Sequence, residues 1–215
     1  MKMIIVKILV VLSFISMIYI NYLANSKPLN GISTGEISAK YNTLFTPSGF
    51  TFSIWGIIYI LVLIFVINFV TIDKVSFASS NMTLIGLLFI ISCLINMSWL
   101  FTWHFDKILL STIVMVSFLV VLLLILHYSA NTGITYITFS VYAGWVSVAL
   151  IANISILLLK YDISMFMNHE WFWFYSIIGI SVVIGLYMVI FNKNYLYGAV
   201  FIWAYFGILM KYLNK

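Results

Sequence analysis

LIGLLFIISCLINMSWLFTWHF (Leu84–Phe105) runs into Asp106-Lys107, and ILLSTIVMVSFLVVLLLILH (Ile108–His127) follows at once. Each run has the length a helix needs to cross a hydrocarbon core, roughly 20 residues. The two charges between them leave room only for a tight hairpin. Neither run carries the polar stripe that a helix on a soluble core turns to water. Working outward, five more stretches qualify: Met3–Leu23, Gly49–Ile72, Ile134–Leu159, Trp171–Phe191 and Tyr195–Leu213. Backbone groups in lipid must find partners within their own segment, so each stretch is read as a helix. The fold class is an all-α polytopic membrane protein with seven transmembrane helices.

Composition supports this. Of 215 residues, 65% are hydrophobic and 7% are charged, with a mean hydropathy of +1.19. A soluble domain carries about 25% charged residues, so these few cannot cover a water-facing surface. The ten basic residues are all lysine and sit mostly at the ends of apolar runs, where Lys reaches the headgroups. The net charge of +5 therefore reads as anchoring to a lipid bilayer. No basic patch with interleaved aromatics suggests nucleic acid. Cys93 is the only cysteine, which excludes an internal disulfide and a cysteine-based metal site.

The first stretch follows Lys2 and contains Lys7, the basic start that a leader peptide also has. Its apolar run is long for a leader and no small-x-small site follows, so it is read as a retained helix. Ala24–Ser48 is polar, with Lys27, Pro28, Glu36 and Lys40; it is either a partly ordered lid or a plain exterior loop. Lys2, Lys7, Lys74 and Lys193 fall on the N-terminal side. Lys27, Lys40, Lys107, Lys160, Lys211 and Lys215 fall on the other, which favours a cytoplasmic C-terminus by a small margin. The setting expected is a bacterial cell membrane.

Apart from Lys7, no charge lies deep in a span. Ion-coupled transporters and pumps carry intramembrane acids or bases, and a retinal Schiff base needs a lysine midway along the last helix, whereas Lys211 is at its edge. What remains is aromatic and amide chemistry. Asn96, Trp99 and Trp103 share a face of the third helix. Trp145, Ala149 and Asn153 share a face of the fifth. Trp55 and Tyr59 share one on the second, with Phe52 a turn earlier. Amides in hydrocarbon need partners, so Asn96 and Asn153 point into the bundle and bring their tryptophans with them. Such faces suit a flat, mostly apolar ligand. They equally suit helix packing alone, with Asn96 and Asn153 bonding each other or a backbone carbonyl.

The same residues carry a resemblance. Thr46-Pro47-Ser48-Gly49-Phe50-Thr51-Phe52-Ser53-Ile54-Trp55-Gly56-Ile57-Ile58-Tyr59 resembles the stretch that opens the second helix of the TspO/MBR family, the tryptophan-rich sensory or translocator proteins. Asn96-x-x-Trp99 with Trp103 is similar to that family's third-helix motif, and Tyr142-x-x-Trp145-x-x-x-Ala149-x-x-x-Asn153 to its fifth-helix motif. Thr46 and Val141 stand where the family has proline, and the first loop lacks the family's Trp-x-x-Leu-x-Lys-Pro. The resemblance covers residues 1–159 and implies a five-helix bundle there, with 160–215 as two additional helices. It further implies a ligand site for porphyrins or sterols formed by Trp55, Tyr59, Asn96, Trp99, Trp103, Tyr142, Trp145, Ala149 and Asn153, with Trp55 and Trp145 stacked on a tetrapyrrole. A sterol-type pattern falls at Leu209, Tyr212 and Lys215.

Three functions follow as expectations. The first is a sensor or translocator that binds a hydrophobic small molecule and requires no cofactor. The second is a permease for such a solute. The third is a porphyrin-degrading enzyme, which no acid–base pair supports: His104 with Asp106, and His169 with Glu170, sit at helix ends, and no catalytic or metal-ligating residue is assigned. Ala143-Gly144, Gly179 and Gly185 permit close helix contact within one chain or across a homodimer.

Overall fold

Each apolar stretch is helical in the computed structural model, which describes residues 2–26, 29–41, 43–73, 81–129, 133–162 and 169–213. Lys27, Pro28, Lys74 and Lys215 lie outside them. The helices are α1 (Lys2–Ser26), α2 (Thr34–Lys40), α3 (Ile54–Thr71), α4 (Met82–His104), α5 (Ile108–Tyr128), α6 (Gly133–Lys160), α7 (Glu170–Ile190) and α8 (Tyr195–Leu213), with a 3-10 turn at Gly49–Ser53. All but α2 are long and apolar enough to cross a membrane, α3 together with its leading turn. At 1.5 Å per residue, the 18 residues of α3 reach about 27 Å, and the 3-10 turn completes the crossing.

The hairpin between α4 and α5 closes as its two charges demand. Asp106 takes a positive φ of 57°, a conformation that Asp tolerates better than most side chains. The Lys107 amide donates to the Thr102 carbonyl at 2.9 Å and the Asp106 amide to that of Trp103 at 3.0 Å. This is a Schellman closure, which satisfies the last carbonyls of α4.

Five helices form a closed ring in the order α1, α4, α5, α6, α3. On the half where α4 and α6 begin, the ring is solid. Phe65 of α3 packs on Phe89 of α4 (centroids 5.1 Å apart) and on Phe139 of α6 (5.0 Å), and all three are fully buried. At this end Lys7 donates to the carbonyls of Val70 and Ile72 at 2.8 and 2.6 Å, a cation on the negative end of α3.

Outside the ring, α8 packs on α6 and α7 lies against α8. Lipid gives apolar helices no reason to associate, so small and polar residues must hold this seam. A side chain at Gly144 of α6 would meet Val200 at 3.1 Å and the Tyr197 carbonyl at 3.2 Å. Ser147 bonds the Tyr197 hydroxyl at 2.6 Å, and Asn194 donates to Ser140 at 2.9 Å. By contrast, α7 buries only Ser181 and Gly185.

The last helix also reaches across to the 3-10 turn. The Ser48 amide donates to the Gly207 carbonyl at 3.0 Å. Trp203 Nε1 donates to Thr51, Lys211 Nζ to Thr43 and Tyr212 Oη to Leu44, each to a carbonyl at 3.0 Å.

Candidate ligand cavity

The loop after α1 folds back as a lid. Seven residues of helix are too few to stand alone, so α2 depends on its ends. Ser33 caps it: its hydroxyl accepts from the Glu36 amide while the Glu36 carboxylate accepts from the Ser33 amide at 2.7 Å, a capping box. The Ser33 amide, and then its hydroxyl, hold the Glu36 carboxyl below its usual range. Trp103 Nε1 donates to the Thr34 carbonyl at 3.3 Å. His104 is buried, with Nδ1 2.8 Å from the Leu100 carbonyl and Nε2 3.2 Å from that of Ala24. It ties the end of α1 to α4 and makes no pair with Asp106.

Asp106 instead clamps the lid. Tyr41 Oη donates to its carboxylate at 2.6 Å, and Lys40 and Lys160 each approach at 3.1 Å. Partial burial raises the Asp106 carboxyl, but the bonds from Tyr41, Lys40 and Lys160 outweigh it and leave the group below its usual range. The bond and the charge of Asp106 raise Lys40 above its own. A depressed acid stabilises the fold above its unfolded pKa, about 3.9, and the effect is lost as pH falls through the folded value. A raised lysine stabilises below its unfolded pKa, about 10.4, and the effect is lost as pH rises beyond it. The clamp therefore holds through the neutral range. Asp106→Asn is expected to speed amide exchange across Thr34–Lys40 several-fold at pH 7, a modest effect because exposed ion pairs are weak. Wild type should lose the same protection, after correction for the intrinsic pH dependence of exchange, only as pH falls below the usual aspartate range and the depressed carboxyl protonates. Equal exchange in both proteins at pH 7 would show that Asp106 does not restrain the lid.

Beneath the lid, the half of the ring opposite the phenylalanines is hollow. A deep, narrow cavity of about 50 Å³ is walled by Trp55, Trp99, Trp103 and Trp145, with Ala149 and Asn153. It adjoins an outer cavity of about 500 Å³, lined by Asn25, Ser33 and Thr46 alongside Tyr59. Trp55, Trp99, Phe52 and Pro47 wall both. Ligand sites in proteins enclose about 300–1000 Å³; the outer cavity has that size, and the deep one is a recess off it. Trp55 is the hub. It stacks on Tyr59 (5.7 Å, 25°) and on Trp99 (6.3 Å, 25°), which stacks on Trp103 (6.1 Å, 28°). Trp145 meets Trp55 edge-on at 6.3 Å.

Of the residues singled out from the sequence, Trp55, Trp99, Trp103, Trp145, Ala149 and Asn153 therefore converge on the deep cavity and Tyr59 on the outer one. Asn96 and Tyr142 lie behind the wall in a polar network. Asn21 Nδ2 donates to Asn96 Oδ1 at 2.7 Å and to the Met17 carbonyl at 2.9 Å. Asn96 Nδ2 donates to Tyr142 Oη at 3.2 Å, and Tyr59 Oη to Asn21 Oδ1 at 2.8 Å. Asn153 bonds Thr112 at 2.9 Å and Ser111 at 3.0 Å on α5. The two asparagines thus pair with neither each other nor a carbonyl. Asn21 is the residue sequence reasoning missed, although a lone amide within the first apolar run was signal enough.

Residues 7–215 match a family model described as TSPO-like protein. The match runs through α7 and α8. No curated protein and no solved structure matches the chain. The ring of five helices, the tryptophan-walled cavity and the extent of the match agree: the chain belongs to the TSPO-like protein family.

Proposed function

We propose that the protein binds a flat hydrophobic molecule, of porphyrin or sterol type, between its helices as a TspO-like sensor or translocator. The observation that carries this reading is the convergence of four tryptophans from three helices on one cavity under a lid. Those rings supply large apolar faces for a flat ligand. The uncharged polar groups of the outer cavity would orient its other end. Trp55 is the ring that would take most of the contact, because it walls both cavities and packs on Tyr59, Trp99 and Trp145 together.

Titration of the detergent-solubilised protein with protoporphyrin IX is expected to give saturable tryptophan quenching. Trp55→Leu should weaken binding about two- to tenfold, since a stacked aromatic pair contributes about 0.5–1.5 kcal/mol beyond its buried area. Circular dichroism would confirm that the variant keeps its helices. Equal affinity in both proteins would remove Trp55 from the site, and the absence of saturation in wild type would remove the porphyrin.

A further inference from the structure

Two donors in the wall of the deep cavity have nothing to bond. Trp99 and Trp145 are 6% and 1% exposed. The indole Nε1 of each is buried with no hydrogen-bond partner among the described residues. Their neighbours differ. Trp103 donates to the Thr34 carbonyl, Trp203 to that of Thr51, and Asn21, Asn96 and Asn153 are all bonded. An unpaired buried donor is rare because it forgoes a bond that water or protein would supply. Here two of them stand on different helices, α4 and α6, and both wall one cavity.

A second observation concerns charge. Among the described residues, no Asp, Glu, Lys or His lines either cavity. Lys40 and Lys160, at this end of the bundle, are engaged by Asp106. A carboxylate drawn into the cavity would lose its water and gain no cation, which is strongly unfavourable. An uncharged oxygen acceptor would lose little water and gain an indole N–H.

We propose that the deep cavity takes the uncharged, oxygen-bearing end of a flat polycyclic ligand, with Trp99 and Trp145 Nε1–H donating to its carbonyl or ether oxygens. This rests on the reading of the cavity as a ligand site and narrows it. Within the porphyrins, a neutral ester or ketone is preferred over a free diacid. Trp55, flanked by both donor rings, contributes apolar surface to the same ligand.

The test uses three probes with one ring system: protoporphyrin IX, its dimethyl ester, and etioporphyrin, which has no oxygen. At pH 7.5 the ester is expected to bind at least tenfold tighter than either of the others. Trp99→Phe and Trp145→Phe keep an aromatic ring and remove the N–H. Each should weaken the ester about three- to tenfold more than it weakens etioporphyrin. In protein with nitrogen-15-labelled tryptophan, the Trp99 and Trp145 indole N–H proton resonances should lie further downfield with the ester than with etioporphyrin, whose macrocycle has the same ring current. Equal binding of ester and etioporphyrin overturns the proposal and leaves the cavity as a site for flat hydrocarbon surfaces. So does an equal loss for both probes in the Phe variants, which would assign the tryptophans to packing. If none of the three binds, the ligand cavity itself falls, and this inference with it.

Discussion

Gly207→Ala is expected to lower the thermal midpoint of the solubilised protein by about 3–10 °C. A methyl group there would lie 2.0 Å from Thr51 Oγ1, 2.6 Å from its Cγ2 and 2.9 Å from its Cβ. Thr51 cannot swing aside. It is fully buried, and the backbone around it is fixed by the Gly207 carbonyl and by Trp203. Over-packing of this kind costs about 1–3 kcal/mol, and each kcal/mol moves the midpoint of a chain this size by about 2–4 °C. The 3-10 turn also carries Phe52, and Pro47 lies just before it; both wall the cavities. Ligand affinity should fall along with stability. Thr51→Ala in the same chain removes two of the three clashing atoms and should recover part of the loss. An unchanged midpoint in Gly207→Ala would mean that the turn and α8 part without cost, and that α8 does not position the cavity wall.

Asn96→Leu comes next in size. The substitution takes from Asn21 one of its two acceptors and from Tyr142 its donor, both among fully packed residues. A buried group left unpaired costs about 1–3 kcal/mol. Interhelical bonds measured within membranes average lower, about 0.6 kcal/mol, so a loss near 2 kcal/mol is expected. Asn21→Leu should cost a similar amount, and the double variant clearly less than the sum, because both break the same bond. Strict additivity in that cycle would show that Asn21 and Asn96 act independently. Binding should change less than stability, since neither Asn96 nor Tyr142 lines the deep cavity.

The spans were legible in the sequence because hydrocarbon thickness dictates run length. The predicted limits agree with the observed helices within a few residues. The ring order was less legible. In lipid, both the inner and outer faces of a helix are apolar, so hydropathy cannot say which is which. Only Asn, Trp and Gly spacing does, and it placed Trp99, Trp103, Trp145 and Asn153 on one interior. It did not separate the wall from the network behind it, because Asn96 is one turn from Trp99 and hydrogen-bond partners are not encoded in spacing. The lid helix was hidden by its shortness, and its cap pair Ser33 and Glu36 was the readable clue. The role of α8 was hidden for another reason. Gly207 meets Thr51, and Lys211 meets the Thr43 carbonyl, pairings that no local pattern announces.

The phenylalanine packing among α3, α4 and α6 has a consequence for how such a chamber exchanges its contents. Phe65, Phe89 and Phe139 fill the opposite half of the ring and line neither cavity, while the outer cavity opens beneath the lid. On the reading proposed above, a ligand of this chamber would exchange with the lid side of the bilayer. Net flux would require three interlocked rings to part on every turnover, so its rate would be set by that barrier and not by affinity for the solute.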